Sequence, residues 1–177
     1  MKIRRALPAD APAVAGIYAH YVRETAITFA TVPPTADDYV ARIADDRFPF
    51  LVAEETGCVA GFAYAAPFRQ KEAYRWDVEL TIYLAPGHGG RGIGAALMET
   101  LVNTLTMQGY LNAYSCITLP NERSVGLHRR FGFGELGVFA KTGYKMGKWN
   151  DVIWMGKALG SFTGQPEEPR LLSELPE

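Results

Sequence analysis

Residues 76–97 read WDVELTIYLAPGHGGRGIGAAL, and the fold turns on how this stretch is read. Its first nine residues alternate. Trp76, Val78, Leu80, Ile82 and Leu84 fall on one side, and Asp77, Glu79, Thr81 and Tyr83 on the other, the period of a strand with one buried face. Five of the eight residues from Gly87 to Gly94 are glycine. Ile93, Leu97, Leu101 and Leu105 then recur at helical spacing, and Gly109 suits the helix stop. A glycine turn between a strand and a helix start is an anion site, because several backbone N–H groups converge and the positive end of the helix dipole adds to them. A Cβ would hold phosphate oxygens away and forbid some of the φ angles. Arg91 adds a cation suited to charge-assisted hydrogen bonds.

Two familiar phosphate loops fit poorly. The P-loop string G-x-x-x-x-G-K-[ST] is absent. Gly87, Gly89 and Gly92 match G-x-G-x-x-G, but a dinucleotide site places an acidic residue about 20 positions further on to hold a ribose. No Asp or Glu occurs between Glu99 and Glu122. The loop also follows a hairpin instead of opening a strand–helix–strand unit.

Outward from the loop, NAYSCITL (112–119) reads as a strand, and Asn121 caps a short helix that stops at Gly132. Two further strands are predicted near 133–141 and 150–158. Upstream, residues 2–6 form a first strand. Asp10 and Pro12 open an amphipathic helix over 11–25, carried by Val14, Ile17, Tyr18, Tyr21 and Val22. Thr35 and Asp38 resemble a capping box for a helix near 36–46. FLVAEE (50–55) and CVAGFAYAAP (58–67) make a hairpin around Thr56-Gly57, and FRQKEAYR (68–75) is a polar connection. This order predicts an α/β fold: one mixed sheet with helices on both faces. It places one domain over 1–160 and a polar, proline-bearing tail over 161–177, mobile or draped on the surface.

The composition narrows the function classes. Eighteen basic and nineteen acidic side chains leave a net charge of −1, which argues against a nucleic-acid partner. Cys58, Cys116 and three histidines show no metal-ligand spacing, so no metal is expected. No window approaches the roughly 20 apolar residues of a membrane span, and MKIRRALPAD is not a signal peptide. The expected setting is the cytoplasm, with no membrane partner.

The ending R-G-I-G-A-A-L after a strand resembles the acetyl-CoA pyrophosphate loop of the GCN5-related N-acetyltransferases (GNAT). AYRWDVELTIYL, LPNERSVGLHRRFGF and GYKMGKWNDV look like the phosphinothricin and methionine sulfoximine acetyltransferase branch, and TFATVPPTADDYVARI is similar to its N-terminal substrate region. The likeness spans about residues 2–158. It implies the GNAT fold, with a mostly antiparallel central sheet, and acetyl transfer from acetyl-CoA to the α-amino group of an amino acid or analogue such as phosphinothricin, methionine sulfoximine or methionine sulfone. The alternatives are another amine (a polyamine, an aminoglycoside, a protein N-terminus) or a CoA-binding sensor without turnover.

The resemblance also implies site residues. Gly89, Gly90, Arg91, Gly92, Ile93 and Gly94 would hold the pyrophosphate. The family usually has Gln or Arg three residues before the first glycine of its G-x-G pair, here Gly92 and Gly94; that position is Gly89. Asn121 and Ser124 would meet the pantetheine arm. Glu79 takes the place of the family's general base. An α-amino group has a pKa near ~8 and must lose a proton before it attacks. A backbone N–H around Tyr83 or Leu84 would receive the oxyanion. His128 stands where many relatives carry a tyrosine and is a candidate acid for the departing thiolate. On the substrate side, Arg75 is the expected anchor for a carboxylate, with Phe29 and Tyr74 as pocket walls. The resemblance favours a homodimer with substrate pockets near the subunit interface; Trp149 would pack near the site or in a dimer contact.

Overall fold

A computed structural model of the chain describes residues 1–176. The element order is β1 (Lys2–Arg5), α1 (Ala11–Glu24), α2 (Ala36–Ile43), β2 (Phe50–Glu55), β3 (Cys58–Pro67), β4 (Asp77–Leu84), α3 (Ile93–Gln108), β5 (Asn112–Thr118), α4 (Glu122–Arg130), β6 (Gly134–Lys145) and β7 (Lys148–Ala158). The strands form one seven-stranded sheet in the order β1-β2-β3-β4-β5-β7-β6. Every neighbouring pair is antiparallel except β4 and β5. No helix among the described residues is long and apolar enough to cross a membrane.

The alternation read in β4 sorts the two faces of the sheet. Val78 and Leu80 point into a core with Leu97, Met98, Leu101 and Leu105 of α3, all buried. Tyr83 and its neighbours on β2 and β3 face α1 and α2, packing around Val14, Ile17, Tyr39 and Phe62. Glu79 and Thr81 share this second face. The Thr35 box closes as expected, with Thr35 Oγ1 accepting from Asp38 N and the Asp38 carboxylate accepting from Thr35 N at 2.8 Å.

One feature departed from the sequence reading. β6 and β7 form one long hairpin through GYKMGKW, closed by Met146 and Gly147 with φ of 54° and 76°. Two successive positive φ angles make a tight turn that follows the twist of the strands. A bulge around Lys141 breaks the alternation, which is why residues 142–149 did not read as strand.

The tail was expected to be mobile or draped on the surface, and it is draped there, fastened at several points. Trp76 Nε1 donates to Glu167 O at 2.7 Å, Arg170 N donates to Gln108 O at 2.7 Å, and Gln108 Nε2 returns a bond to Arg170 O at 2.8 Å. Leu172 is buried, and Asp46 accepts from Ser173. Glu177 lies outside the described residues.

Candidate active site

β4 and β5 pair only from Asp77–Asn112 to Glu79–Tyr114 and then part. Backbone groups alternate sides along a strand. Ala85 N bonds to Ala60 O on the β3 side, whereas Trp76 O accepts from Leu111 N on the β5 side. Even-numbered residues of β4 therefore aim their N–H and C=O at β5, and beyond Glu79 they meet a gap. Of the two expected oxyanion donors, Leu84 presents its N–H to the gap, while Tyr83 turns its backbone to β3 and only its ring to the cleft.

The gap opens into a cavity of about 980 Å³. One wall is Glu79 to Ala85 with Gly87, Gly89, Gly90, Gly92 and Gly94; the facing wall is Ser115 to Thr118 with Asn121, Ser124 and His128. Gly92 caps α3 at φ 82°, a conformation that favours glycine, so the helix start is left open to an approaching anion. Asn121 caps α4, its Oδ1 accepting from Ser124 N at 3.2 Å, which leaves its amide N–H groups free for the cleft. Tyr21 donates to Leu84 O at 2.6 Å and ties α1 to the end of β4.

Glu79 is half-buried, and loss of solvent raises its carboxyl pKa; the nearby Arg69 guanidinium opposes that rise. Arg69 lies over the Phe68 ring at 4.0 Å and within 5.6 Å of the Trp154 ring. The Phe68 ring lies 4.3 Å from the tilted ring of Tyr114, the register partner of Glu79. Arg69 has no carboxylate partner among the described residues; its one hydrogen bond goes to Phe68 O.

His128 lines the cavity but is 5% exposed. Nδ1 lies 2.8 Å from Ser124 O, which can only accept, so Nδ1 carries the proton. Nε2, 2.9 Å from Ser115 Oγ, accepts from that hydroxyl. Burial lowers its pKa, so the ring is neutral near pH 7 with both nitrogens engaged. This arrangement suits a brace between α4 and β5, and it offers no spare proton to a leaving thiolate.

The expected substrate residues divide. Phe29 lines the cavity and lies against Gly143, where a Cβ would fall 2.2 Å from its ring. Arg75 and Tyr74 do not line it; together with Arg69 they line a separate cavity of about 410 Å³, and Arg75 pairs with Glu168 at 2.6 Å. Arg91 also departs from expectation, pairing with Glu55 at 3.0 Å. Arg123, Tyr18, Tyr21 and Tyr64, which line the cavity, and Arg69 beside it were missed. The tyrosines of α1 share the spacing of its buried stripe, and the arginines sit among other charges with no motif to mark them.

Comparison with known proteins gives the family. Residues 3–154 match the acetyltransferase (GNAT) domain. The chain belongs to the GNAT acetyltransferases. The phosphinothricin N-acetyltransferase of Streptomyces viridochromogenes is 39% identical over 154 residues, covering 86% of this chain and 84% of that protein. The L-methionine sulfoximine/L-methionine sulfone acetyltransferase of Salmonella typhimurium is 32% identical, covering 88% and 92%. The crystal structure of a phosphinothricin acetyltransferase from Sinorhizobium meliloti in complex with AcCoA superposes with a TM-score of 0.89 at 35% identity, covering 94% and 93%. The GNAT enzyme described here is an N-acetyltransferase that takes its acetyl group from acetyl-CoA. Its parted strands, free Leu84 N–H and open α3 start fit that donor: backbone donors for the pantetheine arm, a glycine cradle for the pyrophosphate.

Proposed function

We propose that this GNAT enzyme acetylates the α-amino group of free amino acids and their analogues, the class named for its phosphinothricin and methionine sulfoximine relatives. The observation that carries the reading is a pair of opposite charges, Glu79 in the cleft and Arg69 beside it on the wall of the neighbouring cavity. Glu79 is half-buried with its pKa raised, and Arg69 stands close enough to act on it without an ion pair closing between them. A zwitterionic amino acid fits between: its ammonium meets Glu79, and its carboxylate takes the guanidinium fork of Arg69, each contact about 2.8 Å long. Arg69 thus takes the anchoring role expected of Arg75.

Glu79 accepts the ammonium proton, directly or through water. The amine lone pair attacks the thioester carbonyl carbon, a C–N bond forms, and the oxyanion faces Leu84 N–H. The C–S bond then breaks, and the second proton of the newly bonded nitrogen passes to the departing thiolate, directly or through water. A thiol of pKa near ~8.5 leaves readily as thiolate, so the step proceeds without His128 as acid.

The β6–β7 hairpin at the edge of the sheet supports a homodimer. Leu136, Val138, Phe139, Tyr144 and Trp149 are each more than half exposed there, an apolar area of the kind that marks an interface. The two free thiols, Cys58 and Cys116, accord with the reducing cytoplasm.

Thiol release from acetyl-CoA tests the reading. The panel contains phosphinothricin, methionine sulfoximine, methionine sulfone, common amino acids, their decarboxylated amines, spermidine, an aminoglycoside and a short peptide. Release confined to entrants that keep the α-carboxylate is expected. Equal release from the decarboxylated amines, or release from spermidine, the aminoglycoside or the peptide alone, overturns it.

A further inference from the structure

The pyrophosphate cradle holds an unexpected exchange of side chains. The loop's own cation, Arg91, reaches away to Glu55 on β2 and does not line the cavity. The position where the family carries Gln or Arg is Gly89, with no side chain to offer. A Cβ built on Gly89 would fall 3.3 Å from Nη1 of Arg123, the second residue of α4. Arg123 does line the cavity, is exposed, and has no hydrogen bond or ion pair among the described residues.

We propose that Arg123 is the pyrophosphate-binding cation of this enzyme, delivered from α4 across the glycine loop, and that Gly89 is the space it needs. The loop supplies only neutral N–H dipoles once Arg91 is engaged elsewhere, while a pyrophosphate brings two negative charges. A guanidinium fork satisfies two phosphate oxygens at once. The backbone beneath Arg123 is fixed in relation to the loop in two ways. Asn121 caps its helix at Ser124 N, and Leu127, one turn on, lies 3.5 Å from where a Cβ on Gly94 would stand. A longer residue at position 89 would press on the Arg123 guanidinium, because a contact of 3.3 Å is already tight for a Cβ. The two positions therefore act as one unit: the side chain missing from the loop is returned by the facing helix.

Calorimetric binding of CoA, with no turnover involved, tests this. Arg123→Gln is expected to weaken CoA about ten- to a hundred-fold, the loss of a charge-assisted pair, and to flatten the dependence of affinity on salt. Binding of S-acetylpantetheine, which lacks the pyrophosphate, should not change. Arg91→Gln should cost less than about three-fold. In the Arg123→Ala background, Gly89→Arg should restore much of the CoA affinity, since space and charge are then exchanged back. The melting temperature of each variant confirms that it is folded. The proposal is overturned if Arg123→Gln leaves CoA affinity unchanged, if it weakens S-acetylpantetheine equally, or if Arg91→Gln costs more than Arg123→Gln.

Discussion

Arg75 Nη1 lies 2.6 Å from the Glu168 carboxylate, joining the loop before β4 to the C-terminal strap across 93 residues of sequence. An arginine positioned by sequence to hold a substrate is thereby spent on fastening the chain's own end. Both partners are exposed, so the ion pair itself contributes little. The strap's hold comes from its backbone bonds to Gln108 and Asp46 and from the burial of Leu172.

Leu172→Ala should therefore destabilise the protein by about 2 kcal/mol, the low end for truncating a buried leucine. Glu168→Gln should change stability by less than about 1 kcal/mol. Urea unfolding midpoints of the two variants decide the matter, and a larger loss from Glu168→Gln would place the hold in the ion pair.

The acidic limb of kcat/KM should reflect Glu79. Burial raises its pKa above 4.5, and the base is lost as the pH falls through that raised value. Arg69 opposes the rise. Arg69→Gln should move the limb to still higher pH and raise KM for an amino acid, while Arg69→Lys leaves the limb nearly in place. Glu79→Gln should cut kcat by about 10²- to 10⁴-fold with CoA affinity kept. A limb that stays fixed in Arg69→Gln would remove Arg69 from the base's surroundings.

Acid stability should depend on Asp10. Its carboxylate takes two bonds from Arg4, at 2.7 and 2.9 Å, and one from Leu7 N at 2.8 Å, and Arg4 also holds Glu54. The Arg4 bonds, ahead of the cost of burial, lower its pKa below 3.8. The unfolded chain thus takes up this proton first as pH falls. The stabilisation is complete above the unfolded pKa and disappears as pH falls through the folded one. Asp10→Asn should cost about 1–3 kcal/mol at pH 7, a gap that narrows below the ordinary carboxylate pKa. Urea midpoints of both proteins from neutral to acid pH measure it.

His128 should matter more for stability than for rate. His128→Asn should lower stability by about 1–3 kcal/mol, since Ser115 and the Ser124 carbonyl lose a buried partner. At saturating substrates kcat should fall less than about ten-fold, against the 10²- to 10⁴-fold expected of a true acid. Because burial lowers its folded pKa, the unfolded chain binds this proton first below pH 6.5. The wild type should lose stability as pH falls through that range, and the variant should lose less. A drop in kcat beyond a hundred-fold with CoA binding intact would make His128 the acid.

The path from β4 through the glycine loop to α3 was legible because each of its signals is local. Alternation in WDVELTIYL reports a half-buried strand, and a glycine run before an apolar stripe reports a helix start with bare donors. Asn121 was legible in the same way, since a cap is written within three residues of its helix. The β6–β7 hairpin was harder, because the bulge at Lys141 shifts the side-chain period halfway along the strand.

By itself, the sequence determined the layered α/β architecture, the glycine cradle and Glu79 on the cleft side of β4, because periodicity and chain order settle which face of an element is wet. Which arginine does what was decided only by the tertiary structure. Arg69, Arg75, Arg91 and Arg123 are chemically alike, and the long side chain of each can reach several partners. Their roles follow from the nearest opposite charge, Glu168 for Arg75 and Glu55 for Arg91. Arg69 and Arg123 find no carboxylate among the described residues; Arg69 is left on the wall of the cavity beside Glu79, and Arg123 faces the cradle. Those distances exist only once segments tens of residues apart have been folded together.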